Sequence, residues 1–131
     1  MPGRTILVID DEGMWHKLLK RFLGDAGYCV YAAATCADGI RLAEFHKPDC
    51  IVLDFHLADG DALSVCAGLR EIEDVSEIPV IIFSSDPAVE IEAYSQCRAK
   101  SFVLKGCPES LLELRKSIGE VLPPALPPGR G

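Results

Sequence analysis

The chain has 131 residues, 49% of them hydrophobic and 25% charged, which suits one compact core and does not ask for a second domain. A formal net charge of −7 argues against a nucleic-acid surface of its own, because phosphate binding needs clustered Lys and Arg. The apolar runs, residues 78–83 among them, are strand-sized and too short for a membrane span, and no basic segment followed by an apolar one opens the chain, so it reads as cytoplasmic with no membrane contact.

In chain order, residues 4–9 (RTILVI) form a buried type of strand. Residues 14–26 carry Leu18, Leu19, Phe22 and Leu23 at helical spacing, and Gly27 is placed to end that helix in a left-handed cap. Residues 28–33 make a second strand. Thr35, with Asp38 three residues on, resembles a capping box for a helix that runs to about His46 and stops before Pro48. A third strand spans residues 50–53, and a helix over 61–73 follows. Pro79 leads into a fourth strand at 80–83, a short helix covers 89–96, a fifth strand takes 101–104, and a closing helix runs over 108–121 with Pro108 in its first turn.

Five strand–helix units in this length predict a parallel sheet with helices on both faces, since parallel strands need right-handed crossovers. The expected fold class is α/β, a doubly wound five-stranded parallel sheet of flavodoxin-like type. Residues 122–131 (LPPALPPGRG) hold four prolines and two glycines, which suits a linker, so the domain is expected to span residues 1–121.

Six cysteines, Cys29, Cys36, Cys50, Cys66, Cys97 and Cys107, are scattered among aliphatic residues without a CxxC pair, and read as reduced thiols buried as small hydrophobes. His16 and His46 read as helix-surface residues, and Trp15 as helix packing.

In open α/β sheets the functional crevice lies beyond the carboxyl ends of the strands. Asp10 and Asp11 end the first strand, Asp54 the third, Ser84 the fourth and Lys105 the fifth, so four strands deliver polar groups to one rim. Three carboxylates together repel unless something positive offsets them, and a hard divalent cation such as Mg²⁺ does so with oxygen ligands. A lysine and a hydroxyl nearby complete a place for a transient phosphoryl group. Taken singly, each residue has a plainer reading: a helix-capping pair, a turn residue, a cap, a solvated lysine.

The ordered set ILVIDDE, DCIVLDFHLADGDAL, IPVIIFSS and SFVLK resembles the receiver domain of two-component response regulators over about residues 4–121. The resemblance implies that Asp54 is the phosphoacceptor, receiving its phosphoryl group from a phosphohistidine of a sensor histidine kinase or histidine phosphotransfer protein. It implies that Asp10, Asp11, Asp54 and the backbone carbonyl of His56 hold Mg²⁺ or Mn²⁺, with the His56 side chain facing the site. Ser84 matches the switch hydroxyl, Phe102 the switch aromatic and Lys105 the phosphoryl-binding lysine. His56 and Asp86 match positions that tune phosphoryl lifetime. The output surface would be the fourth helix, fifth strand and fifth helix. Such a domain is no classical enzyme, although it assists its own phosphotransfer and aspartyl-phosphate hydrolysis. It serves an effector domain or protein downstream, as a monomer or a phosphorylation-dependent dimer.

Gly106 stands where the family usually has proline, and a non-proline cis bond costs about 3 kcal/mol, so this peptide is expected to be trans. Ala58, Ala62 and Arg98 also depart from the usual pattern without removing a reacting group. The alternative function is a receiver-like module that binds partners independently of phosphorylation. A haloacid-dehalogenase type of hydrolase would want a DxD motif on the first strand and a cap domain, and an FMN binder would meet a repelling acidic rim.

Overall fold

The computed structural model describes residues 4–122. Its elements are β1 (Thr5–Ile9), α1 (Gly13–Asp25), β2 (Cys29–Ala33), α2 (Cys36–His46), β3 (Cys50–Leu53), a hairpin of β4 (His56–Leu57) and β5 (Gly60–Asp61), α3 (Ala62–Arg70), β6 (Val80–Ser84), α4 (Glu90–Ser95), β7 (Ser101–Leu104) and α5 (Ser110–Val121). The main sheet has the order β2-β1-β3-β6-β7 with every pairing parallel, which is the doubly wound architecture expected.

Strand side chains alternate between two cores, as a period of two requires. Leu7, Ile9, Ile51, Leu53 and Ile82 face the layer of α2, α3 and α4, with Ala43, Val65 and Ala93 opposite them. Ile6, Val8, Val52, Ile81 and Phe83 face Leu19 and Leu23 of α1 and Leu114 and Ile118 of α5. Both faces are covered, so the strands read as unbroken apolar runs. In α1, however, Leu18 stays exposed and Trp15 and Phe22 are half-buried, because the helix turns only one stripe inward.

The caps follow local chemistry. Gly27 has φ +99°, the Tyr28 N–H donates to the Leu23 carbonyl, and the Gly27 N–H donates to Gly24, a Schellman ending for α1. Thr35 Oγ1 accepts the Asp38 N–H at 3.1 Å, while the Asp38 carboxylate pairs with Arg41. Gly39 brings α2 against β1: a Cβ there would sit 2.6 Å from Ile9 Cδ1.

Several expectations need correction. The predicted helix over 61–73 breaks at Arg70, because Ile72 is extended and a separate 3-10 turn, Glu73–Val75, buries Val75. The closing helix starts at Ser110, not Pro108; buried Ser110 accepts the Cys107 N–H and donates to the Leu104 carbonyl, which holds Pro108 in the preceding turn. Cys29 and Cys107 are exposed, and only the other four thiols are buried; all six are free. No helix among the described residues is long and apolar enough to cross a membrane. The tail lies outside the described residues from 123 onward.

Candidate functional site

Winding direction reverses between β1 and β3, and the chain delivers Asp10, Asp11 and Asp54 to the crevice at that point. The Asp10 N–H donates to the Ala33 carbonyl and the Asp54 N–H to the Ile9 carbonyl, so both aspartates are anchored by the ladder they extend. One carboxylate oxygen from each of Asp10, Asp11 and Asp54 lies within 4.8 Å of the others. Asp10 is buried and Asp11 exposed.

Lys105 neutralises this cluster from below. Its ammonium donates to Asp10 Oδ2 at 2.5 Å and to Asp54 Oδ2 at 3.2 Å, and the three side chains are only 4%, 3% and 12% exposed. Nζ lies 5.1 Å from the Trp15 ring and 5.5 Å from that of Phe83, two rings that meet edge to face. The second oxygens of these two aspartates also have partners: Asp10 Oδ1 accepts the Glu12 N–H and Asp54 Oδ1 accepts the Phe55 N–H. No peptide among the described residues is cis. Gly106, at φ +90°, makes the turn after Lys105, which reaches both carboxylates without the proline.

Burial pushes the Asp54 carboxyl above the usual carboxylate range; the Lys105 charge opposes this and the Asp10 charge adds to it. An added cation at the three oxygens would pull it back down. The donor set is all hard oxygen and opens to solvent at Asp11, which suits a cation that keeps some of its water.

Ser84 ends β6 fully buried, with Oγ accepting the Asp86 N–H at 3.1 Å. Asp86 caps the 3-10 turn Pro87–Val89 through Oδ1 and meets His56 Nε2 through Oδ2 at 2.9 Å. That hydrogen bond holds the Asp86 carboxyl below its usual range. The His56 side chain is 63% exposed and turned along the rim toward Asp86. Phe102 is half-buried against the α2–α4 core, and its N–H donates to the Tyr94 hydroxyl at 3.0 Å.

Several residues near the site escaped the sequence reading. His16 is half-buried rather than a free surface residue, its Nε2 donating to the Asp10 carbonyl at 2.5 Å; its signal was its place on the first turn after the acidic pair. His46 stacks on Tyr31. Asp59 reaches from the β4–β5 turn to accept the Cys36 and Ala37 N–H groups, tying the loop after Asp54 to the start of α2, and those bonds depress its carboxyl. Trp15 and Phe83 wall in Lys105, and Tyr94 clamps β7.

A parallel sheet in the order β2-β1-β3-β6-β7, with an acidic crevice and a buried lysine at its switch point, defines a doubly wound domain of flavodoxin-like type. Residues 6–117 match the response regulator receiver domain, and the chain belongs to that family. Receiver domains are signalling domains of two-component systems rather than classical enzymes, and phosphorylation and Mg²⁺ are typical of them. The chain is 35% identical over 117 residues to the transcriptional regulatory protein KdpE of Mycobacterium tuberculosis, with 86% of this chain and 50% of the relative covered. It therefore spans half the length of that relative. Among solved structures it is similar to the chemotaxis response regulator CheY4 of Vibrio cholerae, with TM-score 0.80, 22% identity, and 92% and 99% of the two chains covered. It is also similar to the receiver domain of sensor histidine kinase PA1611 from Pseudomonas aeruginosa PAO1, described with a magnesium ion in its active-site cleft, with TM-score 0.77, 22% identity, and 90% and 96% covered. At these identities the two structures speak to the fold.

Proposed function

We propose that this chain is a phosphorylation-controlled switch in which Asp54 accepts a phosphoryl group from a phosphohistidine. The observation that carries this reading is the cluster of three carboxylates around Asp54 with a buried lysine bonded to two of them. An Asp54 oxygen attacks phosphorus as the P–N bond to the donor imidazole breaks, and the carboxylate becomes an acyl phosphate. Asp10, Asp11, Asp54 and the His56 backbone carbonyl would hold Mg²⁺ or Mn²⁺, which offsets charge on the carboxylates and on the transferring group.

This chain's own residues supply the rest. Lys105 exchanges its bond to Asp54 for one to a phosphoryl oxygen while its ammonium stays against the Trp15 and Phe83 rings. Ser84 gives up the Asp86 N–H and turns its hydroxyl toward the phosphoryl group. Loss of that bond loosens the segment leading into α4, and with Phe102 it shifts the surface of α4, β7 and α5. His56 and Asp86, already paired at the rim, set how readily water reaches the phosphoryl group, and so its lifetime.

The partners are a sensor histidine kinase or phosphotransfer protein upstream and an effector downstream, in the cytoplasm. The receiver unit takes residues 1–121, with 122–131 as a linker. The test is the intact mass of the parent and of Asp54→Asn after incubation with Mg²⁺ and acetyl phosphate. The parent gains one phosphoryl group and the variant none. If neither gains it, and a cognate phosphohistidine protein also fails, the switch reading is wrong and phosphorylation-independent binding takes its place.

A further inference from the structure

On the rim opposite the acidic crevice, a cleft of about 360 Å³ lies between α3 and the segment that follows α4. Cys66, from the middle of α3, and Cys97, just after α4, both line it, together with Arg70 and Arg98. The two thiols share this cleft and each perturbs the other's ionisation, so they are neighbours although they lie far apart in the chain. Arg70 is fixed beside them by two donations to the Gln96 carbonyl, at 3.1 and 3.0 Å, with its guanidinium exposed to solvent. None of these groups takes part in the chemistry at Asp54.

We propose that Cys97, with Cys66 as its resolving partner, is a peroxide-oxidisable site whose disulfide ties α3 to the segment closing α4. The Cys97 thiolate attacks one oxygen of a hydroperoxide; the O–O bond breaks, the leaving oxygen takes a proton, and Cys97 becomes a sulfenic acid. Cys66 then attacks the Cys97 sulfur, the S–O bond breaks, and water leaves as the disulfide forms. Two thiols are oxidised by two electrons, and one hydroperoxide is reduced to water and an alcohol, or to two waters for hydrogen peroxide.

The surroundings favour Cys97 over the other buried thiols. Burial pushes Cys36 and Cys50 up to about 11 and about 12. Cys97 is shifted the other way, held down by its neighbour Cys66 and, against the effect of burial, by the positive charge of Arg70. The segment carrying Cys97 is bonded back onto α4, its N–H to the Glu92 carbonyl and the Ala99 N–H to Ala93, so a crosslink there restrains the helix. The thiol chemistry stands apart from the phosphorylation reading; only its effect on α4 as an output element rests on it.

The test treats the folded, reduced full chain briefly with hydrogen peroxide, alkylates the remaining free thiols, and maps the peptides by mass. The expected result is a Cys66–Cys97 linked peptide lacking two hydrogens, appearing before oxidation at the exposed Cys29 and Cys107. In Cys66→Ser, Cys97 stops at the sulfenic acid and is captured by dimedone; in Cys97→Ser, Cys66 stays reduced. Arg70→Gln, a surface change, slows formation severalfold, and hydrogen exchange over residues 90–95 slows in the oxidised chain. If Cys29 and Cys107 oxidise while Cys66 and Cys97 remain alkylatable, or the same link forms as fast in the urea-unfolded chain, the proposal is overturned. Parent mapping and Arg70→Gln decide the matter even if the serine variants fail to fold.

Discussion

Replacing Lys105 by methionine removes the charge that holds the acidic rim while keeping an apolar side chain of similar length beside Trp15 and Phe83. Lys105 is 4% exposed and bonded to Asp10 and Asp54 at 2.5 and 3.2 Å, so the variant leaves two nearly buried carboxylates facing each other without a cation. With oxygens within 4.8 Å, their repulsion at an effective dielectric of about 20 is at least about 3.5 kcal/mol. A ceiling exists because Asp54, already raised by burial, can bind a proton instead. From about pH 7 to an ordinary carboxylate pKa near 3.9 that costs about 4 kcal/mol. The expected loss of unfolding free energy near neutral pH is therefore about 3–4 kcal/mol, in the range for a buried pair that loses one partner. Urea unfolding in EDTA across pH measures it. The folded variant binds a proton that the unfolded chain does not, so its stability recovers as pH falls from neutral, by about 1.4 kcal/mol per unit, until the unfolded carboxylate protonates too, near pH 3.9. Mg²⁺ at near-neutral pH restores part of the loss. A variant within about 0.5 kcal/mol of the parent, with the parent's pH dependence, refutes the reasoning.

Gly39→Ala gains about 1 kcal/mol in helix propensity but overpacks the fully buried Ile9 at a cost of about 1–3 kcal/mol, so thermal melts should show a net loss near 1 kcal/mol; a stabilised variant would mean that Ile9 repacks freely. Because His56 and Asp86 are bonded to each other, His56→Ala and Asp86→Ala should change the decay rate of the phosphorylated protein in the same direction, and the double variant should match either single one. Unchanged or additive decay rates would sink that assignment. Tyr94→Phe leaves the Phe102 N–H without its acceptor; about 0.5–1.5 kcal/mol is lost, and NMR should record faster exchange of that amide, whereas an unchanged amide would deny the clamp.

Much of the fold was legible in the chain because it rests on local rules. Apolar β-branched runs of four or five residues, each followed by an amphipathic stretch, mark parallel strands and their crossover helices. Gly27 and Thr35 announced their caps because an αL turn and an N-cap need those residue types. Where boundaries slipped, at Arg70 and Pro108, the deciding contacts were tertiary: burial of Val75 in one case and the hydrogen bonds of Ser110 in the other. The β4–β5 hairpin was illegible for a similar reason, since two-residue strands carry no periodicity.

By itself, the sequence determined which chemistry is available at which strand end: carboxylates after the first and third strands, a hydroxyl after the fourth, an ammonium after the fifth. Strand order is not written in local pattern, and only the tertiary structure put β1 beside β3, so that Asp10 and Asp54 share one lysine and one crevice. The same holds for His56 with Asp86 and for Cys66 with Cys97, pairs about thirty residues apart in the chain. Such contacts exist because a twisted sheet and two helical layers bring distant segments together to bury apolar surface, and the polar partners are carried along by that packing.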